Sequence, residues 1–315
     1  MSLSLSAPIL IAGPTASGKS ALALRLAGIY GGVVINADAM QVYRELSVLT
    51  ARPTAADERL APHWLYGHVG ASEAYSVGRY VEDVAAALAR AGSEGLRPII
   101  VGGTGFYFKA LLEGLSPIPA VKDEVRRHWR AEAKRIGASG LHAELSRVDP
   151  TMAERLHATD TQRLTRALEV LDSTGRSLAH WQSCPGVPLL DAGQCVLLVR
   201  QPERAALLAA CDKRFNAMME MGALNEVRAL LALGLDPSLP CFGALGVAPL
   251  GLHLAGKLAL PDAVAQAKLD TRHYVKRQMT WLRRNMITWN DVQRELLETN
   301  DRSLKQFIDC CAATA

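Results

Sequence analysis

The chain has 315 residues, of which 49% are hydrophobic, 21% charged and only 5% aromatic, with a net charge of +4. That is enough for one large domain or two ordinary ones, with a core built mainly from Leu, Ala, Val and Ile. No apolar run reaches the ~20 residues of a membrane-spanning helix. The opening "MSLSLSAPILIAG" lacks the basic start of a secretory leader, and Cys184, Cys195, Cys211, Cys241, Cys310 and Cys311 show no C-x-x-C spacing. Membrane, disulfide-rich and zinc-knuckle classes are therefore set aside, and a cytoplasmic protein with reduced thiols is expected.

In chain order, "PILIAG" is a short apolar strand leading directly into "GPTASGKS" and then the helix-length run "KSALALRLAGIY". The loop fits G-x-x-x-x-G-K-[ST], with Gly13, Gly18, Lys19 and Ser20 at the required places. Glycines let the backbone curl until several N–H groups face phosphate oxygens, and the following helix adds its positive end. Lys19 supplies a point charge and Ser20 a ligand for Mg²⁺. The motif specifies a phosphate chain but does not specify ATP. Next come the strand "GVVINAD" and the segment "NADAMQVYREL", with Asp38 just past the strand, where ligands meet parallel sheets. Asp38 is open to three readings: an acid near Mg²⁺ as in a small-molecule kinase, a general base, or a helix cap. The helix "SVGRYVEDVAAALARAG" precedes a third strand, "RPIIVGG", which ends in Gly102-Gly103-Thr104-Gly105 instead of the acid an NTPase usually carries there. That loop reads as a second close-approach site for a ligand, with Thr104 its one hydrogen-bonding side chain.

From about Ser116 to Pro188 strand candidates vanish and Arg-rich helical segments take over, including "VKDEVRRHWRAEAKRIG" and "DTQRLTRALEVLDSTG". The strand "QCVLLVR" follows, then long helices. Strands alternating with helices argue for a parallel sheet covered on both faces. The expected fold is α/β: a P-loop NTPase-like parallel sheet flanked by helices over residues 1–115 and 189–315, with an all-helical insertion domain at 116–188. In the late segment "KLDTRHYVKRQMTWLRR", Lys268, Arg272, Lys276 and Arg283 fall within an arc of roughly 80° on one helix. Met279 lies inside the arc, and Arg277 and Thr280 beside it. A narrow basic stripe of this kind suits a phosphate backbone.

Taken together, "GPTASGKS", "NADAMQVYREL", "VGGTGFYFKALLEG", "DTQRLTRALEV" and "KRQMTWLR" resemble the tRNA dimethylallyltransferase (tRNA isopentenyltransferase) family, in the family's order and over nearly the whole chain. The resemblance implies transfer of a dimethylallyl group from dimethylallyl diphosphate to N6 of the adenosine on the 3′ side of the anticodon, with release of diphosphate. It implies that Gly13, Thr15, Ala16, Ser17, Gly18, Lys19 and Ser20 hold the donor diphosphate with Mg²⁺ on Ser20. Asp38 then acts as the base, Thr104 sits at the reaction centre, and Arg214 clamps the diphosphate. For RNA it nominates Asp38, Ala39, Met40 and Gln41 around the flipped base, Thr104, Arg126, and Gln162, Arg163, Leu164, Thr165 and Arg166 on the anticodon loop. Arg272, Lys276, Arg277 and Arg283 of the stripe complete the RNA set. One stretch departs from the family: where "MRAIGYRE" is usual, this chain has "CFGALGVAPL", with Gly243 and Val247 in place of an arginine and a tyrosine. Altered RNA affinity or target choice is expected there, and altered local folding too, because Pro249 falls where a helix starts or continues. A bacterial-type monomer is expected, since no Cys/His module and no heptad seam stand out. The rival acceptors are free AMP, ADP or ATP, and the rival reaction is that of a small-molecule P-loop kinase.

Overall fold

A computed structural model describes residues 7–293, 296 and 298–313. Among them, six strands form one sheet: β1 (Ile9–Ala12), β2 (Gly32–Asn36), β3 (His63–Trp64), β4 (Arg97–Gly102), β5 (Val196–Val199) and β6 (Asn290–Asp291). The order is β3-β2-β4-β1-β5-β6. Every pairing is parallel, with Ile9 opposite both Ile99 and Val196, and Ala12 opposite both Gly102 and Val199. All strand ends carrying the loops named above therefore open on one edge of the sheet, where ligands bind in this architecture.

The four longer strands read as continuous apolar runs because helices cover both faces. Leu10, Ala12, Val33, Ile35, Ile100 and Val199 point to one face and meet α3 (Val77–Glu94), α4 (Gly105–Glu113) and the end of α12 (Leu260–Asn285). Ile9, Ile11, Val34, Ile99, Val101 and Leu198 point to the other and meet α1 (Lys19–Tyr30) and α13 (Asp301–Ala313). The two-residue strands β3 and β6 were not visible in the sequence, since two residues carry no period. The small helix α2 (Ala55–Leu60) is closed by a Thr54–Asp57 capping box.

A further helical layer lies at the ligand edge: α9 (Arg204–Glu220), α10 (Ala223–Ala232), α11 (Val247–Leu254) and α12 share a core with Val42, Tyr43 and Leu46. In α11, Pro249 occupies the first turn, where its missing N–H has no helical partner to lose. The departure from the family pattern therefore does not break this helix.

The chain divides into two compact units, Met1–Leu112 with Leu189–Ala315, and Glu113–Pro188. The second holds α5 (Asp123–Val148), α6 (Pro150–Arg155), α7 (Thr161–Thr174) and α8 (Leu178–Ser183) around Leu141, Leu145, Met152, Leu164 and Leu168. Gly137, at φ 67°, kinks α5. No helix among the described residues is long and apolar enough to cross a membrane.

Candidate functional site

The loop after β1 curls as its sequence requires. Gly13 N–H donates to the Gly102 carbonyl (3.3 Å), and a Cβ on Gly13 would sit 2.8 Å from Ser17 Oγ and 3.1 Å from Arg200 Cβ. Ala16 and Gly18 both take positive φ, 60° and 83°. A left-handed alanine is a strained choice that persists where its surroundings impose it. No side chain caps the start of α1, so its first N–H groups are left without a side-chain acceptor. Lys19 Nζ donates to the Pro14 carbonyl (3.1 Å). Its pKa is lowered to about 8 because burial disfavours the charge; Asp38 opposes that shift and Arg214 adds to it.

Three side chains from elsewhere hold this loop. Arg214, on α9, donates to Thr15 Oγ1; burial pushes its pKa down against the pull of Cys211 and Asp38. Buried Arg200, just past β5, donates from Nε to the Ser17 carbonyl (3.3 Å) and from Nη1 to the Val292 carbonyl. Gln278, buried on α12, accepts from Thr15 N–H (3.0 Å) and donates to the Gly103 carbonyl (2.9 Å).

Asp38 follows β2. Asn36 fixes it, accepting from the Asp38 N–H (2.9 Å) and donating to the Asp38 and Leu65 carbonyls. Asp38 Oδ1 accepts from Met40 N–H (2.9 Å). Oδ2 faces Gly103: a Cβ there would lie 3.5 Å from it. Asp38 is half-buried, and its charge acts on Lys19, Arg214, Tyr66, Tyr107 and Tyr274. Thr104 is stitched to the same segment, its N–H to the Ala37 carbonyl (3.2 Å) and its Oγ1 accepting from Ala39 N–H (3.0 Å).

Protein contacts by themselves demand glycine on both sides of Thr104. A Cβ on Gly102 would lie 1.9 Å from the Ala37 carbonyl oxygen, on Gly103 2.4 Å from Gln278 Nε2, and on Gly105 2.1 Å from Trp281. The loop is thin because the β2 segment and α12 press against it.

Of the other sequence-nominated residues, Ala39 and Met40 pack against the core clusters. Gln41 donates to the Thr50 and Ala51 carbonyls (2.8 and 3.1 Å), so its amide braces its own loop. That loop is further anchored by Glu226, whose carboxylate accepts from the N–H groups of Ser47, Val48 and Leu49.

In the helical unit, Gln162 and Arg163 are exposed, whereas Leu164 and Thr165 point into the core at 0% and 9% exposure. The side chains of Leu164 and Thr165 are therefore not presented to a solvent-side partner, a difference from their nomination as RNA contacts; the hydrophobic face of α7 takes them inward. Arg126, Arg163 and Arg166 each pair with a carboxylate three residues away, Asp123, Asp160 and Glu169.

Three of the four residues of the basic stripe, Arg272, Lys276 and Arg283, are exposed. Lys268 is half-buried, Arg272 pairs with Asp212, and Arg283 donates to the Met279 carbonyl of its own helix. Met279 packs inward beside Cys211. Lys276 and Arg277, with Thr280, Trp281 and Arg284, instead line an open groove of about 540 Å³. A second hollow of about 280 Å³ continues it, between Arg277 and the Gly243–Gly246 backbone. The segment that departs from the family pattern thus borders the basic groove.

Sequence reasoning missed Gln278, Arg200 and Arg284. Gln278 had a legible signal: it interrupts the apolar face Ala263, Ala267, Val275, Leu282 at helical spacing. Arg200 ends an apolar strand, where only the fold reveals that it lies beneath the loop.

Among the described residues no group of three or more His, Cys, Asp or Glu could hold a metal ion. A Mg²⁺ does not need one, since it takes substrate phosphates and water with one or two protein oxygens. Ser20 is exposed in the first turn of α1, and the buried Ser17 Oγ has no partner among the described residues. This donor set fits a diphosphate-borne Mg²⁺.

Comparison with known proteins gives the following. A family model described as IPP transferase matches residues 41–285, and one described as Isopentenyl transferase matches residues 7–65. A tRNA dimethylallyltransferase of Parvibaculum lavamentivorans is 48% identical over 303 residues, covering 96% of this chain and 95% of the relative. One of Mesorhizobium japonicum is 52% identical over 278 residues, covering 88% and 86%. The full-length tRNA isopentenylpyrophosphate transferase of Bacillus halodurans superposes with a TM-score of 0.69 at 28% identity, covering 98% of this chain and 97% of that one. A eukaryotic dimethylallyltransferase acting on tRNA gives 0.73 at 27% identity, covering 87% and 69%.

Proposed function

The chain belongs to the IPP transferase family, and on that premise we propose that it transfers a dimethylallyl group from dimethylallyl diphosphate to N6 of the adenosine 3′-adjacent to the anticodon in tRNA. The observation that carries this reading is that Asp38 and Thr104 are tied together beside the mouth of a phosphate loop: Ala39 N–H donates to Thr104 Oγ1, and the Asp38 charge acts on Lys19 and Arg214.

In the reaction the bond from the allylic carbon to the diphosphate oxygen breaks, a bond from N6 to that carbon forms, and the amine proton leaves. Negative charge grows on the departing diphosphate. The loop N–H groups, Lys19 and Arg214 oppose that charge where it develops. The Thr104 hydroxyl, whose oxygen already accepts from Ala39, keeps its own hydrogen to donate towards the leaving oxygen. The N6 lone pair is delocalised into adenine and is a poor nucleophile. Asp38 Oδ2, with Oδ1 held by Met40 N–H, accepts the amine hydrogen and takes the proton, a role worth ~10²–10⁴-fold. Ser20 would hold a Mg²⁺, which would supply further positive charge to the leaving diphosphate.

The adenosine has to leave its stack to reach Asp38, which costs least in a single-stranded loop. The groove lined by Lys276, Arg277 and Arg284 supplies phosphate contacts, and Gln162, Arg163 and Arg166 are the outward-facing members of the anticodon-loop set. The protein acts as a monomer in the cytoplasm, where its substrate is. The test is incubation with labelled dimethylallyl diphosphate, Mg²⁺ and either bulk tRNA or AMP, with a parallel incubation with ATP. Label in tRNA supports the reading, label only in AMP replaces the acceptor, and ADP formation from ATP without prenyl transfer points to a kinase.

A further inference from the structure

The inward face of α12 runs through Ala263, Ala267, Thr271, Val275, Gln278 and Leu282. Two of these are polar. Thr271 spends its hydroxyl on its own helix, donating to the Ala267 carbonyl (2.8 Å). Gln278, 6% exposed, does something different. Its Oε1 accepts from Thr15 N–H at 3.0 Å and its Nε2 donates to the Gly103 carbonyl at 2.9 Å.

The two bonded residues belong to two different loops. Thr15 is in the phosphate loop and carries the hydroxyl that Arg214 reaches. Gly103 precedes Thr104, whose hydroxyl accepts from the residue after Asp38. A primary amide has a donor and an acceptor in one plane, so one side chain sets the separation of the donor loop and the base-bearing loop. Gly103 is a glycine because Nε2 comes so close: a Cβ there would lie 2.4 Å from it. The two residues before Gln278 on the helix, Lys276 and Arg277, line the outer groove.

We infer that Gln278 is a positioning residue that fixes the spacing between the phosphate loop and the Asp38–Thr104 segment and joins both to the groove-lining helix. It touches neither reacting molecule; its effect is on the alignment of groups that do. The inference rests on the functional reading above, in which the first loop holds the donor and α12 faces RNA.

The test compares wild type with Gln278→Met, similar in length without the hydrogen bonds, and Gln278→Glu. Single-turnover transfer is measured at saturating dimethylallyl diphosphate and tRNA, alongside tRNA Kd and the thermal midpoint. Misplacement of one loop by a fraction of an ångström should lower the saturating rate of the Met variant about 10- to 100-fold, with tRNA Kd unchanged within about twofold. The Glu variant carries its own signature. Ionised, it keeps the acceptor for Thr15 but cannot donate to Gly103. Protonated, its O–H and C=O reproduce both bonds, and burial raises its pKa into a usable range. Its rate relative to wild type should therefore climb as pH falls, while that of the Met variant stays flat. A Met variant that matches wild type at saturation, or a Glu-to-wild-type ratio independent of pH, overturns the inference. If the Met variant does not fold, the Glu ratio decides alone. Wild-type transfer in the same assay checks the functional reading separately: absence of transfer there defeats that reading, whereas equal transfer by all three defeats only the positioning role.

Discussion

Replacing Asp38 by Asn is the sharpest perturbation available at this site. Asn is isosteric and its Oδ1 still accepts from Met40 N–H, so the local turn held by Asn36 should persist. What disappears is the basicity of Oδ2 and one negative charge. Loss of a general base is expected to slow transfer ~10²–10⁴-fold, or about 3–5 kcal/mol of barrier. A side effect must be separated from this. Asp38 raises the Lys19 pKa against burial, so without it Lys19 falls below about 8, and donor affinity weakens at alkaline pH. At a pH well below 8 Lys19 is protonated in the wild type, and donor affinity measured on the variant at the same pH separates loss of the lysine charge from loss of the base. The assay is single-turnover transfer with equilibrium donor and tRNA binding measured on the same preparations. Transfer within about fivefold of wild type at that pH, or donor and tRNA affinities that collapse in step with it, would refute the assignment.

Lys19 makes a prediction of its own, with opposite signs for binding and stability. Its folded pKa is depressed from 10.5 to about 8, so between those values the unfolded chain binds more protons and the ligand-free protein gains stability from this group as pH rises; thermal midpoints across that window, compared with Lys19→Met, should show it. Donor affinity should fall over the same range, and an affinity flat from about pH 7 to 10 would contradict the shift. Changing Lys276, Arg277 and Arg284 together to Ala should weaken tRNA binding and flatten the slope of log K against log salt by about 2–3, with donor affinity spared; an unchanged slope would remove the groove from the RNA surface. Gly102→Ala should destabilise by at least about 1–3 kcal/mol, since the methyl meets the Ala37 carbonyl at 1.9 Å, and an unaltered thermal midpoint would show that contact to be relieved.

The phosphate loop was legible because its chemistry fixes residue types at fixed spacing, and the four long strands because both faces are buried and the runs are unbroken. Asp38 and Thr104 could be placed at strand ends, but the hydrogen bond from Ala39 N–H that joins them depends on which strands are neighbours, and β2 lies beside β4 only in the folded sheet. The basic stripe shows where a helical wheel stops. Spacing orders residues around a helix, yet docking decides which arc is outward. Here the inward face through Thr271, Val275, Gln278 and Leu282 leaves Lys276, Arg277 and Arg284 lining the groove, while the exposed Arg272 pairs with Asp212 on α9. Leu164 and Thr165 were nominated through a matched motif, and a motif does not separate residues that touch a partner from those that hold the helix bearing them. Gln278 was visible as a polar break in an apolar face, but both of its partners lie more than 170 residues away.

The measurement closest to the central claim is a digest of tRNA after incubation with the protein and dimethylallyl diphosphate, mapped by nucleoside and oligonucleotide mass spectrometry, with released diphosphate quantified in parallel. A dimethylallyl group on N6 of the adenosine 3′ to the anticodon, one diphosphate freed for each, is the expected result. Modification at another base, or diphosphate released without prenylated adenosine, would contradict the account.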